Sequence, residues 1–309
     1  MGLMIETHSL SHRYGVRMAL DGVDLQVPER AIYGFLGRNG AGKTTTIRAV
    51  LGLLRPTAGT ILVAGFDVSN QRQQAARCMG ALLDGHGFYP NLTGRENLWL
   101  TCQALDLPAR EIDRVLEIVE LSTAAHDRVG RYSLGMRQRL GLGRALLGEP
   151  KVLILDEPTN GLDPEGIEDI RRLLATLPDQ SGCTILLCSH NLSEVEQLAS
   201  HVGIIAKGRL VVQGAMEALK ADQPQTVRLR TPQIDHAAAL VARCGTVAKR
   251  GSDELHITLP ARTDAGQVVA ELIPQLSHSA IPVHAIHPME AGLSQLYDHA
   301  RSLTQSPPC

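Results

Sequence analysis

The sequence predicts an α/β chain in two parts: a parallel-sheet domain over residues 1–220 and a small α+β domain over 221–300, with a loose tail at 301–309. Three observations predict it. A short apolar run at 31–36 leads into a glycine-rich loop and then a helical stretch from Thr45 to Leu54. Two later apolar runs, 152–155 and 184–188, each stop abruptly at polar residues. Beyond residue 220 the pattern changes to β-α-β-β-α-β plus a helix, a ferredoxin-like order.

The glycine-rich loop reads Gly37-Arg38-Asn39-Gly40-Ala41-Gly42-Lys43-Thr44 and fits G-x-x-x-x-G-K-[ST] at every fixed position. Strand, loop and helix are the context that gives the pattern meaning. Its glycines let backbone bend around an anion without a side-chain clash. The amides of residues 40–45, Thr45 included, then point at phosphates, aided by the helix N-terminal dipole. Lys43 reaches the β- and γ-phosphates of a nucleotide, and the Thr44 hydroxyl is a ligand for Mg²⁺.

The remaining elements follow in order. Residues 3–30 are β-rich, and the alternation across 20–27 predicts a half-buried strand. Tyr14 sits in a turn, where it serves either as a surface anchor or as a platform for a base. A strand at 60–64, a helix at 71–77 and a short apolar run at 80–83 come next. Residues 92–148 are predicted helical, with Thr93 and Glu96 at capping-box spacing. Ile112, Val115, Leu116 and Val119 mark one buried helical face, and a second helix is expected over 135–147.

The run at 152–155 predicts a buried strand with Asp156 and Glu157 at its C-terminal end, where open α/β sheets bind ligands. Asp156 is placed to hold Mg²⁺ through water. Glu157 is placed to polarise a water that attacks the γ-phosphate. The next buried strand ends in Ser189 and His190, and a histidine there is a candidate γ-phosphate sensor. A hairpin over 202–213 closes the domain. In the second part, strands are expected at 226–229, 246–250, 254–259 and 282–286, and helices at 236–243, 266–276 and 292–299.

Composition narrows the function. Hydrophobic residues make up 44%, enough for a sizeable core, and the net charge of −2 gives no basic footprint for nucleic acid. The six cysteines form no C-x-x-C pair, which predicts reduced thiols rather than a disulfide framework. The N-terminus lacks a signal-peptide pattern, and no apolar run approaches the roughly 18 residues of a membrane helix. The expected location is therefore cytoplasmic.

Tyr132-Ser133-Leu134-Gly135-Met136-Arg137-Gln138-Arg139 lies just upstream of the carboxylate strand. With it, the chain resembles an ATP-binding cassette (ABC) ATPase, most closely the ATP-binding subunit of bacterial drug- and antibiotic-exporting transporters. The phrases at 89–98, 135–140 and 156–164 carry the closer resemblance, which spans about residues 3–220. It implies a P-loop fold with a parallel-sheet core, an antiparallel β subdomain and a helical subdomain. It also implies that ATP and Mg²⁺ are bound, with Tyr14 stacked on adenine, Asp156 as the metal-binding aspartate, Glu157 as the catalytic glutamate and His190 as the switch histidine.

Residues 160–163 resemble the D-loop, including Asp163, and Ser133, Leu134, Gly135 and Met136 take the place of the signature that closes on the partner's ATP. Leu134 and Met136 depart from the usual glycine and glutamine. Asp84 falls where a glutamine is usual, from where it can approach Mg²⁺, and the surface from Asp84 to Trp99 is expected to meet a membrane subunit. Trp99 is otherwise assigned to the core. The implied partners are a second cassette, most simply a homodimer, and an integral membrane permease. The implied location is the cytoplasmic face of the membrane. A soluble ABC ATPase, one serving metal-cofactor maturation, or a module regulated through the C-terminal domain are the alternative readings.

Overall fold

A computed structural model describes residues 2–83, 87–289 and 292–303. They form two compact units, 2–215 with 300–303 and 216–299.

The first unit is built on a six-stranded sheet. Its strands are β4 (Ile32–Leu36), β7 (Met79–Leu82), β8 (Val152–Asp156), β9 (Thr184–Ser189), β10 (His201–Ala206) and β11 (Arg209–Ala215). The spatial order is β11-β10-β4-β9-β8-β7, parallel except for the β10–β11 hairpin. Strands buried on both faces read as unbroken apolar runs. All of β4 and β9 is buried, as is β8 up to Leu155. Each fully buried Leu or Ile contributes roughly 1.5–3 kcal/mol of apolar burial.

A second, antiparallel sheet comprises β1 (Leu3–Tyr14), β2 (Arg17–Val23), β3 (Gln26–Pro28), β5 (Ala58–Val63) and β6 (Phe66–Asp67). Its apolar face, including Ile5, Leu20, Val27 and Val63, joins Phe35, Ile47 and Ile154 in one core. The single strand expected over 20–27 is two strands. The Thr7 hydroxyl donates to Val23 O (2.7 Å) and accepts from Leu25 N (2.8 Å), so a side chain interrupts the ladder there. The predicted alternation survives the break, with Leu20, Val23, Leu25 and Val27 all buried.

Helices flank these sheets. They are α1 (Lys43–Val50), α2 (Arg72–Arg77), α3 (Gly94–Leu105), α4 (Arg110–Ile118), α5 (Leu134–Ala145), α6 (Pro164–Ser181) and α7 (Leu192–Leu198). α1 stops short of Leu54 because the amides of Leu53 and Leu54 both turn back to Arg48 O. The helical zone expected over 92–148 is interrupted after α4. The stretch up to Tyr132 is turns and a short 3₁₀ helix, Val129–Arg131. Ile112, Val115, Leu116 and Val119 form the buried face that their spacing predicts. Trp99 is 48% exposed, so of its two expected placements the surface one holds and the core one does not.

The second unit begins with α8 (Met216–Ala221), so the division falls before this helix rather than at 220. Its four strands are β12 (Thr226–Arg230), β13 (Thr246–Arg250), β14 (Glu254–Thr258) and β15 (Ala285–Met289), in the order β13-β14-β12-β15 and all antiparallel. That is the ferredoxin-like arrangement. α9 (Ile234–Val241) and α10 (Ala265–His278) contribute Ala237, Val241, Leu272 and Leu276 to its core. β15 starts later than the predicted 282–286. Pro282 has no amide to donate, and pairing begins with His284 N to Arg230 O (2.9 Å). α11 (Leu293–Leu303) carries helix past residue 301, where a loose tail is predicted.

The capping box at α3 is complete: Thr93 Oγ1 accepts from Glu96 N (3.1 Å) and Glu96 Oε2 accepts from Thr93 N (2.8 Å). Thr93→Ala removes the first of these bonds. The expected loss is about 1 kcal/mol, read as a lower midpoint in urea unfolding with an unchanged slope.

Candidate functional site

The central sheet brings three strand ends together. β9 lies between β4 and β8, with Leu36 opposite Ser189 and Asp156 opposite Cys188. The residues that follow are Gly37, His190 and Glu157. Three sites far apart in sequence thus meet at one sheet edge, where open α/β sheets bind ligands.

The glycine loop occupies residues 37–42 between β4 and α1. Gly42 has φ +121°, and a β-carbon there would meet Leu20 Cδ2 at 2.9 Å and Ala19 O at 3.1 Å. A β-carbon on Gly37 would lie 2.6 Å from Ile205 O. Only glycine fits these two positions. No side chain caps α1, so its first-turn amides face a cavity of about 310 Å³. Tyr14, Arg38, Asn39, Gly40, Gly42, Lys43, Thr44 and Thr45 line it. Ala41 is buried behind the loop. Lys43 is 7% exposed, and its Nζ donates to Gly37 O at 2.5 Å, which folds the ammonium back over the loop. Thr44 is exposed to the cavity.

Two neighbours of this cavity escape sequence reasoning. Arg17 pairs with Tyr14 across the β1–β2 hairpin and lines the same wall. His12 is buried and meets the Tyr14 ring edge-on, with centroids 4.6 Å apart.

At the end of β8, Glu157 adopts φ +52°, a left-handed conformation unfavourable for a residue with a side chain. Its amide donates to Cys188 O (2.8 Å) and its carbonyl accepts from Asn160 N (3.2 Å). This turn aims the carboxylate at His190: Glu157 Oε2 is 2.7 Å from His190 Nδ1 and also accepts from His190 N (3.4 Å). Sequence spacing nominates both residues but not their contact.

Cys188, fully buried beneath them, registers the local electrostatics. Burial pushes its thiol pKa well up, the Asp156 carboxylate adds to the shift, Lys43 opposes it and Glu157 adds again. Lys43, Asp156 and Glu157 therefore all act electrostatically at one point of the sheet. Asp84 lies outside the described residues.

The signature-like residues lie elsewhere. Ser133 is the N-cap of α5, its Oγ accepting from Met136 N (3.1 Å), which leaves its O–H to donate. Asp163 caps α6 in the same way, accepting from Gly166 N (3.0 Å). Ser133, Leu134, Gly135 and Met136 line a cleft of about 610 Å³ together with Gly161, Leu162 and Asp163. This cleft shares no lining residue with the cavity at the glycine loop.

Known proteins agree with this geometry. A family model described as ABC transporter matches residues 20–160. The bacitracin transport ATP-binding protein BcrA of Bacillus licheniformis is 48% identical over 242 residues, which cover 78% of this chain and 79% of that protein. The chain belongs to the ABC transporter ATP-binding family. It is an ATPase that binds ATP and hydrolyses it to ADP and phosphate. Daunorubicin resistance ATP-binding protein DrrA3 of Streptomyces coeruleorubidus is 35% identical over 295 residues, covering 93% of this chain and 92% of that one. Among solved structures, an ATP-binding subunit of an ABC transporter superposes with a TM-score of 0.63 at 29% identity, over 70% of this chain and 92% of its own.

The buried sheet also sets the alkaline limit of stability. Burial pushes the Cys183 thiol up to about 12 from its usual 9, and it raises Cys188 and the Tyr33 phenol as well. The folded protein keeps these protons where the unfolded chain releases them. Stability is therefore full below about pH 9 and falls as pH rises from there towards about 12. Urea midpoints should drop steadily over that window, and unfolding should expose thiols that the native protein hides from a thiol reagent.

Proposed function

We propose that this chain is the motor subunit of an exporter, in which two copies close around two ATP molecules and drive a separate integral membrane permease. The Glu157–His190 contact beside the phosphate loop carries the hydrolytic part of this reading. Amides of the loop and Lys43 hold the β- and γ-phosphates, with Arg38, Asn39, Gly40, Ala41, Gly42, Thr44 and Thr45 around them, and Tyr14 meets the base. Glu157 accepts a hydrogen bond from the attacking water, and His190 fixes that carboxylate and the γ-phosphate relative to each other. The water oxygen bonds to the γ-phosphorus as the bond to the β–γ bridging oxygen breaks.

Thr44 and Asp156 would hold Mg²⁺, since a hydroxyl and a carboxylate are the hard oxygen donors it prefers. Bound there, Mg²⁺ neutralises charge on the phosphates. No group of three or more His, Cys, Asp or Glu side chains that could hold a metal occurs among the described residues. Phosphates and water would therefore complete its shell, as is usual for this ion.

The separate signature cleft supports the dimer. Ser133 and Gly135 line a cleft with no lining residue in common with the loop cavity, which fits their contacting ATP held by the partner, beside the D-loop at Asp163. Exposed Tyr89 and Trp99 support a permease-docking surface. Asn97 pins it, accepting from Tyr89 N (2.9 Å) and donating to Tyr89 O (3.1 Å). No helix among the described residues is long and apolar enough to cross a membrane; in this reading the membrane span is the permease's. The chain then sits peripherally on the cytoplasmic face. The relatives named for bacitracin transport and daunorubicin resistance favour a drug or antibiotic peptide as cargo. Residues 221–300 are a small accessory domain in this reading.

Glu157→Gln should lower kcat by about 10²- to 10⁴-fold, the scale of general-base catalysis, and accumulate an ATP-bound dimer in sedimentation; wild-type turnover would remove Glu157 from its role. Lys43→Ala should weaken ATP binding in titration calorimetry, and an unchanged affinity would count against the phosphate-loop assignment. The reading as a whole is tested by pulling tagged Glu157→Gln protein with ATP from solubilised membranes of its own cells. A stoichiometric polytopic protein identified by mass spectrometry supports the exporter. Ribosomal, DNA-bound or soluble partners alone would reassign the ATPase to another process.

A further inference from the structure

Among the described residues, Glu194 is the one acidic side chain in the buried set, 3% exposed, and no ion pair reaches it. It stands in the first turn of α7. Its two oxygens take two hydroxyls. Thr159 Oγ1 donates to Oε1 and Ser189 Oγ donates to Oε2, each at 2.8 Å. Thr159 and Ser189 are themselves buried.

Burying a carboxylate is costly unless each lone pair finds a donor, and an apolar residue of similar volume fills such a space at lower cost. What the carboxylate adds is a tie between two turns. Thr159 lies in the turn closed by Asn160 N to Glu157 O, two residues beyond Glu157. Ser189 immediately precedes His190, and its Oγ also accepts from Asn191 N (3.0 Å), the residue that follows. One side chain thus holds the backbone beside both members of the Glu157–His190 pair.

That pair needs holding. Glu157 is in a left-handed conformation that persists only where its surroundings over-determine it. His190 is largely exposed, and its ring is held through Nδ1 by Glu157. The two turns belong to adjacent strands with no covalent link nearby, and their relative position sets the 2.7 Å contact.

We propose that Glu194 is a positioning residue for ATP hydrolysis, clamping the turn after β8 to the turn after β9 so that Glu157 and His190 stay in register. The proposal rests on the reading of Glu157 and His190 as the hydrolytic pair. Glu194→Gln is the informative change. It keeps shape and volume, but its amide nitrogen cannot accept, so either Thr159 or Ser189 must reverse its hydroxyl or lose its bond.

The test uses the full-length protein. Steady-state ATPase rates, ATP affinity by calorimetry and thermal melting are measured for Glu194→Gln, His190→Ala and the double variant. Glu194→Gln should lower kcat by about ten- to a hundred-fold, the scale of a small misplacement of reacting groups, with ATP affinity changed by less than about two-fold. The same change in the His190→Ala background should have little further effect, because the clamp then has no histidine to place. A purely structural role predicts the opposite: equal losses in both backgrounds, tracking the melting temperature.

Wild-type turnover in Glu194→Gln, with His190→Ala impaired, overturns the clamp and leaves the hydrolytic pair standing. Wild-type turnover in His190→Ala overturns the pair, and the clamp with it. Should Glu194→Gln fail to fold, Ser189→Ala severs one tie only. It should lower kcat several-fold at unchanged ATP affinity, and an unaltered kcat there overturns the proposal.

Discussion

The parallel pairing of β4, β9 and β8 is the constraint on which the site depends. Each strand supplies one turn at its C-terminal end, and the sheet spacing fixes how far apart those turns can be. These strands are buried on both faces up to their polar ends, and a one-residue slip would carry Asp156 into the apolar layer. The apolar runs therefore set the geometry of the polar residues that end them. Their hydrophobicity and the chemistry at the sheet edge are one design.

The phosphate loop, both carboxylates and the histidine were legible in the sequence because each ends a strand or opens a helix in a pattern with a physical cause. The capping box of α3 was legible for the same reason. Residues whose role is a tertiary contact were not. Glu194 looks like an ordinary first-turn acid on a short helix, and nothing local shows that two hydroxyls from other turns meet it. Thr7 reads as one more strand residue, yet its hydroxyl splits β2 from β3. Trp99 was legible only as one of two placements, core or surface, and the fold puts it on the surface.

The two clefts carry the argument for assembly. A site that hydrolyses a triphosphate must screen charge on the γ-phosphate from more than one direction. The loop cavity offers amides, Lys43 and Tyr14 from one side and remains open on the other. Ser133 and the start of α5 offer a hydroxyl and a helix N-terminus, but into a different cleft of the same chain. In the proposed dimer a second copy would place its Ser133 over this loop, and Asp163, which shares the cleft with Ser133, would lie near the seam.

The proposed dimer cycle requires the turns after β8 and β9 to be stiff while the chains part and rejoin. Stiffness cannot come from Glu157 itself, whose backbone is strained, nor from His190, whose ring is solvent-exposed. It has to come from below, where Cys188, Ser189, Thr159 and Glu194 are packed out of water. A hydroxyl–carboxylate clamp suits that layer because it fixes direction as well as distance, whereas aliphatic packing fixes distance alone. In the proposed cycle, the cost of one buried carboxylate is the cost of holding Glu157 ready at a site that opens and closes.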